Sequence, residues 1–138
     1  MMKAAAEEAA KAGSARPKLL GITVLTSLDA GDLKSVGQEQ NTAQQVMRLA
    51  KLAKANGLDG VVCSPEEVKA LRSALGPDFI LMVPGIRPTW AAANDQKRVM
   101  TPAQAVQAGA TYLVIGRPIT GSDDPAKAAT RIMTELTG

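Results

Sequence analysis

The chain has 138 residues, 46% of them hydrophobic and 21% charged, and a net charge of +3. This is a globular composition with apolar material for one core, not a disordered one, and the mild positive excess suits a phosphorylated ligand as readily as an ordinary surface. Histidine is absent and Cys63 is the one cysteine, which closes Ser-His catalysis, His-ligated metal sites and an internal disulfide, and suits a reducing cytoplasm.

The segment from Met1 to Lys11 carries Glu7 and Glu8 and has no apolar h-region, so it reads as an amphipathic helix ending at Gly13 rather than a secretory leader. Leu19 to Thr26 is a short apolar, β-branched run with little alternation, which predicts a strand buried on both faces. No apolar run approaches the ~18 residues of a membrane span. The next polar stretch, Asp29-Ala30-Gly31-Asp32-Leu33-Lys34, offers two carboxylates and an ammonium, but its glycine and its place after a strand make it a surface turn. A helix over Ala43 to Asn56 follows, with Val46, Leu49, Ala50 and Ala53 as its apolar stripe and Gly57 as its stop.

Three further units repeat this grammar. Gly60-Val61-Val62-Cys63 is a strand, and Ser64-Pro65-Glu66-Glu67 opens a helix with an N-cap serine, proline at the first turn and a capping glutamate. Val68, Leu71 and Leu75 give that helix its stripe. Cys63 ends a buried strand without a histidine partner, so it reads as a packed thiol. Residues 79–83 form the third strand. A long loop from Pro84 to Met100 leads to a helix capped by Thr101-Pro102-Ala103-Gln104 and closed by Gly109. Residues 112–115 form the fourth strand, and Asp124-Pro125 opens the last helix, with Ala128, Ile132 and Leu136 inward. A leading helix followed by four βα units predicts a parallel α/β sheet in a single domain over residues 1–138. Aromatic residues make up 2% of the chain, so its core must be aliphatic, and no aromatic platform interleaves with basic residues to stack nucleic acid.

In such folds the loops leaving the C-terminal ends of strands carry function. Gly116-Arg117-Pro118 leaves the fourth strand; a glycine lets a phosphate approach backbone N–H groups, and a guanidinium beside it offers bidentate charge-assisted bonds. The same residues also suit a tight turn with a solvated arginine. Pro84-Gly85-Ile86-Arg87-Pro88 leaves the third strand and holds Arg87 between two prolines, an arrangement that also suits a rigid loop whose arginine caps a helix end. Two arginines from neighbouring strand ends would form a dianion pocket. Gln96, within Asn94-Asp95-Gln96-Lys97-Arg98, lies in a loop long enough to be a lid, although a solvated charge run reads equally well. Thr26 ends the first strand and could bond a ligand or cap the next turn.

Taken in order, Leu25-Thr26-Ser27, Leu58 to Ser64, Pro84 to Arg87, Asn94 to Pro102 and Val114 to Thr120 resemble the second half of the bacterial orotidine 5′-phosphate decarboxylases, and the resemblance covers essentially the whole chain. It implies half of a (β/α)₈ TIM barrel, with Met1-Met2 at the start of the fourth barrel helix. It also implies loss of CO₂ from orotidine 5′-phosphate to give UMP, without metal or organic cofactor, in the cytoplasm. Arg117 and Gly116 would hold the 5′-phosphate with Arg87. Gln96 would bridge phosphate and pyrimidine, Thr26 would contact the base region, and Pro84 and Ile86 would wall the pocket. The family's alternating Lys-Asp-Lys-Asp array belongs to the second and third barrel strands, and no segment here matches it. No catalytic residue is therefore assigned, and the Asp29–Asp32–Lys34 cluster has the wrong order and follows the wrong strand. Four parallel strands cannot close a barrel, so the expected partners are the nucleotide and either a second copy of the chain or a complementing N-terminal half, with no nucleic acid and no membrane.

Overall fold

The computed structural model describes residues 1–39, 41–91 and 98–137. Helix α1 (Met2–Ala10) is followed by a 3-10 turn (Gly13–Ala15) and strand β1 (Leu20–Ile22); then come α2 (Ala30–Ser35) and α3 (Thr42–Ala55). Strand β2 (Gly60–Val62), a 3-10 turn (Pro65–Glu67), α4 (Val68–Leu75) and β3 (Ile80–Val83) form the middle of the chain. The last unit holds α5 (Pro102–Ala108), β4 (Tyr112–Leu113), α6 (Arg117–Thr120) and α7 (Pro125–Thr137). The four strands lie in the order β1-β2-β3-β4 and all pair in parallel. Sequence-order neighbours joined by helices are what repeated βα units dictate.

The register assigns the two faces of the sheet. Val61 pairs with Leu81, and both are fully buried beneath the helices, with α3 packed on β1 and β2 and α4 on β3. One residue further along, Ile22, Val62, Met82 and Tyr112 stand side by side in register across all four strands, on the opposite face. Ile22 is 62% exposed and Tyr112 54%. The expectation of a first strand buried on both faces is therefore corrected: among the described residues, one face of this parallel sheet has no covering layer. The strand is also shorter than its apolar run. Thr23 still bonds Val62 O through its N–H and its hydroxyl, but beyond it the chain leaves the ladder.

Gly60 of β2 lies tight against Ile80 of β3. A Cβ there would lie 2.2 Å from Ile80 O and 2.5 Å from Ile80 Cβ, so no other residue fits.

Several local readings change. Asp29 to Lys34 is a short helix rather than a turn, because Asp29 caps it: its carboxylate accepts from Gly31 and Asp32 N–H, and the Asp32 carboxylate accepts from Asp29 N–H. Asn41 caps α3 one residue earlier than its stripe suggested, and Leu49 is only partly buried. Leu136 is likewise half-buried, so Ala128 and Ile132 carry the inner side of α7. The stretch from Pro84 to Met100 is not loop throughout, since Ile86 and Met100 form a parallel bridge. Gly116 starts a four-residue helix where a loop was expected.

At the N-terminal edge of the sheet, charge is committed to structure. Arg72 donates to the carbonyls of Gly76, Pro77, Phe79 and Gly109 and to Thr111 Oγ1. Asp59 accepts from Arg16 at 2.9 Å and from Leu19 N–H at 2.8 Å. The Arg16 hydrogen bond, opposed by burial and helped by Leu19 N–H, holds the Asp59 carboxyl at about 2.

Candidate functional site

The opposite edge, where the strands end, gathers the residues singled out in the sequence. Thr26 follows β1, Arg87 follows β3 and Arg117 follows β4, so topology alone places them along one rim of the sheet. Gly85, at φ +77°, turns the chain out of β3. Ile86 is fully buried in the core and Arg87 is 8% exposed, so Ile86 is a packing residue rather than a pocket wall. The Arg87 N–H donates to Met100 O at 2.9 Å, and its Nη1 donates to Ile86 O at 2.8 Å. Its guanidinium is thereby held against the rim instead of swinging on a flexible stem. Thr26 is buried as well.

Arg117 is exposed, at the first turn of α6. It lines a hollow of about 350 Å³ with Trp90, Pro118, Ser122 and Asp123. A Cβ added to Gly116 would meet nothing within 4 Å, so there is room beside that backbone for a ligand. Trp90 stacks beneath the Arg131 guanidinium, 4.7 Å from the ring centroid, and its Nε1 is buried without a partner among the described residues. The hollow thus joins Arg117 to the segment just after Arg87, though Arg87 and Thr26 do not line it. Asp123 sets a carboxylate in the same hollow, against an anion. Gln96 lies outside the described residues.

Two residues were not recognised in the sequence as partners. Arg98 and Glu67 are both buried and form an ion pair. Arg98 Nη2 also donates to Leu25 O at 3.0 Å and Val24 O at 3.4 Å. The second Glu67 oxygen accepts from Ser64 N–H at 2.9 Å. Glu67 had only the signature of a helix cap and Arg98 that of a charge run; 31 residues of separation give no local signal of their pairing. Cys63, 1% exposed, has its thiol pushed up to about 12, chiefly by burial and further by Glu67, so it is protonated and unreactive at neutral pH.

Residues 1–132 match the orotidine 5′-phosphate decarboxylase/HUMPS family. Orotidine 5′-phosphate decarboxylase of Trichlorobacter lovleyi is 57% identical over 88% of this chain and 50% of its own length. The protein of the same name from Vibrio atlanticus is 52% identical over 100% of this chain and 58% of its own. Among solved structures, orotidine 5′-phosphate decarboxylase from Lactobacillus acidophilus superposes with a TM-score of 0.80 at 39% identity, covering 100% of this chain and 58% of that one. An uncharacterized conserved protein from Geobacillus kaustophilus superposes at 0.77 and 31% identity, again over 58% of its length. The chain spans about half the length of the curated relatives it matches. With four parallel strands, one uncovered sheet face and this coverage, the chain belongs to the orotidine 5′-phosphate decarboxylase family and forms half of that family's α/β barrel.

Proposed function

We propose that the chain is the C-terminal, phosphate-gripping half of an orotidine 5′-phosphate decarboxylase, and that it binds the nucleotide without decarboxylating it alone. The observation that carries this reading is the placement of Arg87 and Arg117 on one rim of the sheet, with open space beside Gly116. Arg117 meets the 5′-phosphate together with the backbone at Gly116. Arg87, fixed by its bonds to Met100 and Ile86, supplies a second positive charge from the neighbouring strand end. Thr26 faces the base region, and Gln96 links phosphate and pyrimidine. A phosphate held far from the reacting carbon matters because remote binding energy can be realised in the transition state. What the chain lacks is any match to the family's Lys-Asp-Lys-Asp array, the groups that destabilise the substrate carboxylate and deliver the proton.

The reading includes a partner. The uncovered row Ile22–Val62–Met82–Tyr112 and the outer edges of β1 and β4 call for a second layer of strands. Beside β1 an apolar hollow of about 370 Å³ lies between Met2 and Ala5 of α1 and Leu20, Ile22 and Leu58. All strands run in parallel, so β4 of one copy pairing with β1 of another, twice, closes eight strands with twofold symmetry. A complementing N-terminal half would cover the same surface.

Two measurements test the reading. UMP added to isotopically labelled chain should shift resonances at Arg87 and Arg117, and no change near either residue refutes the site. Purified chain should release no CO₂ from orotidine 5′-phosphate above a blank. Turnover that is lost in Arg117→Ala would refute the claim that the chain alone is inactive.

A further inference from the structure

We infer that the buried Glu67–Arg98 pair is a positioning device for the phosphate rim, setting the relative placement of Thr26 and Arg87. Three strand ends converge on it. Arg98 Nη2 bonds the carbonyls of Val24 and Leu25, the two residues before Thr26. Glu67 follows β2 and is held in turn by Ser64 N–H. Two residues beyond Arg98, Met100 accepts the Arg87 N–H and its backbone bridges that of Ile86. Residues 98–100 therefore cross-brace the ends of β1, β2 and β3. The one rigid planar group able to reach both the Glu67 carboxylate and the β1 carbonyls is a guanidinium; an ammonium is a point charge and meets only part of this set.

A pair serving stability alone would not need this arrangement. Buried ion pairs contribute little net stability over packed apolar residues, while they do fix geometry where the groups they join must keep one placement. Here the pair costs something visible: Arg98 Nε is buried with no hydrogen-bond partner among the described residues. That unmet bonding is tolerated at the functional rim, whereas Arg72, at the opposite edge, spends Nε and both terminal nitrogens on carbonyls and a threonine hydroxyl.

The assignment rests on the nucleotide-binding reading, and the test separates the two. Arg98→Lys keeps the charge opposite Glu67 and so remains folded. Glu67→Gln/Arg98→Met removes both charges and serves as a second variant. Amide exchange reports the brace without any ligand. In Arg98→Lys, exchange at Arg87 and Leu28, whose N–H groups bond Met100 O and Leu25 O, should quicken about tenfold, while Asp59 and Thr111 at the other edge stay unchanged. UMP affinity should fall about tenfold, as when a supporting partner of a binding site is removed, and the double variant should not restore it. Equal acceleration at both edges, or unchanged UMP affinity in a folded Arg98→Lys, would show a stability element only and overturn the inference. If the parent chain binds no UMP, the nucleotide reading fails, and the exchange pattern still decides the brace.

Discussion

Replacing Ile22 by alanine separates a closed assembly from an open monomer. The change removes three carbon groups, each worth ~0.8 kcal/mol when fully buried. Because Ile22 is 62% exposed in the single chain, about 1.5 kcal/mol of that remains to be gained per copy on association. A twofold dimer loses it twice, about 3 kcal/mol, which weakens the dissociation constant on the order of 100-fold. In a monomer the same substitution loses only the part already covered in the single chain, about 1 kcal/mol, and leaves no concentration dependence. Sedimentation velocity over a micromolar concentration series reads both quantities, with a thermal melt as control. The parent should sediment as a dimer and Ile22→Ala as a monomer–dimer mixture whose intrinsic stability falls by about 1 kcal/mol. A compact parent monomer at every concentration would refute the reasoning from open edges. A dimer indifferent to Ile22→Ala would place the interface elsewhere.

Gly60→Ala forces a Cβ into the Ile80 backbone at 2.2 Å, an overpacking that neither strand can relieve alone. It should cost about 3 kcal/mol and lower Tm by about 10 °C; a melt within the error of the parent would mean that β2 and β3 separate readily. Asp59, at about 2 in the folded chain against an ordinary 3.8, gives stability that is present above pH ~4 and lost as pH falls from ~4 to ~2. After screening, that loss is about 1–2 kcal/mol. Asp59→Asn should flatten the acid limb of a denaturation series, and an unchanged limb would assign it to other carboxylates. Arg117→Ala should abolish the UMP-induced shifts while leaving Tm within about 2 °C, since Arg117 is exposed; retained binding would move the phosphate grip elsewhere.

The element order was legible because each unit carried its own punctuation. Ser64-Pro65 and Thr101-Pro102 mark starts, and Gly57, Gly76 and Gly109 mark stops at positive φ. Strand lengths were not legible. Apolar character continues from Ile22 through Val24 and Leu25, but the ladder ends where the partner strands end, and a run of side chains does not encode that. The uncovered face was equally hidden: Ile22 and Tyr112 have the composition of buried strand residues, and only the register sets them in one open row. At the rim, Arg87 and Arg117 were visible because glycine and proline flank them. Glu67 and Arg98 were not, because a long-range pair between two ordinary charged residues leaves no spacing to read.

The two edges of the sheet divide the labour in a way that bears on what half a barrel can do. At the N-terminal edge Arg72 and the Arg16–Asp59 pair are used up on backbone groups and on each other, joining α4, β3 and the turn before β4. These bonds close within the chain and tie together the turns that lead into the strands. At the C-terminal edge Arg117 is exposed, and Arg87 and Thr26 are set by the brace rather than by a covering layer. Under the proposed function the two arginines of this rim meet the phosphate. Decarboxylation asks in addition for a Lys/Asp array on strands facing the open row, across the interior. Under the proposed function this division separates binding from chemistry: the rim would carry the phosphate grip, and the reaction would require the groups that cover Ile22 and Tyr112.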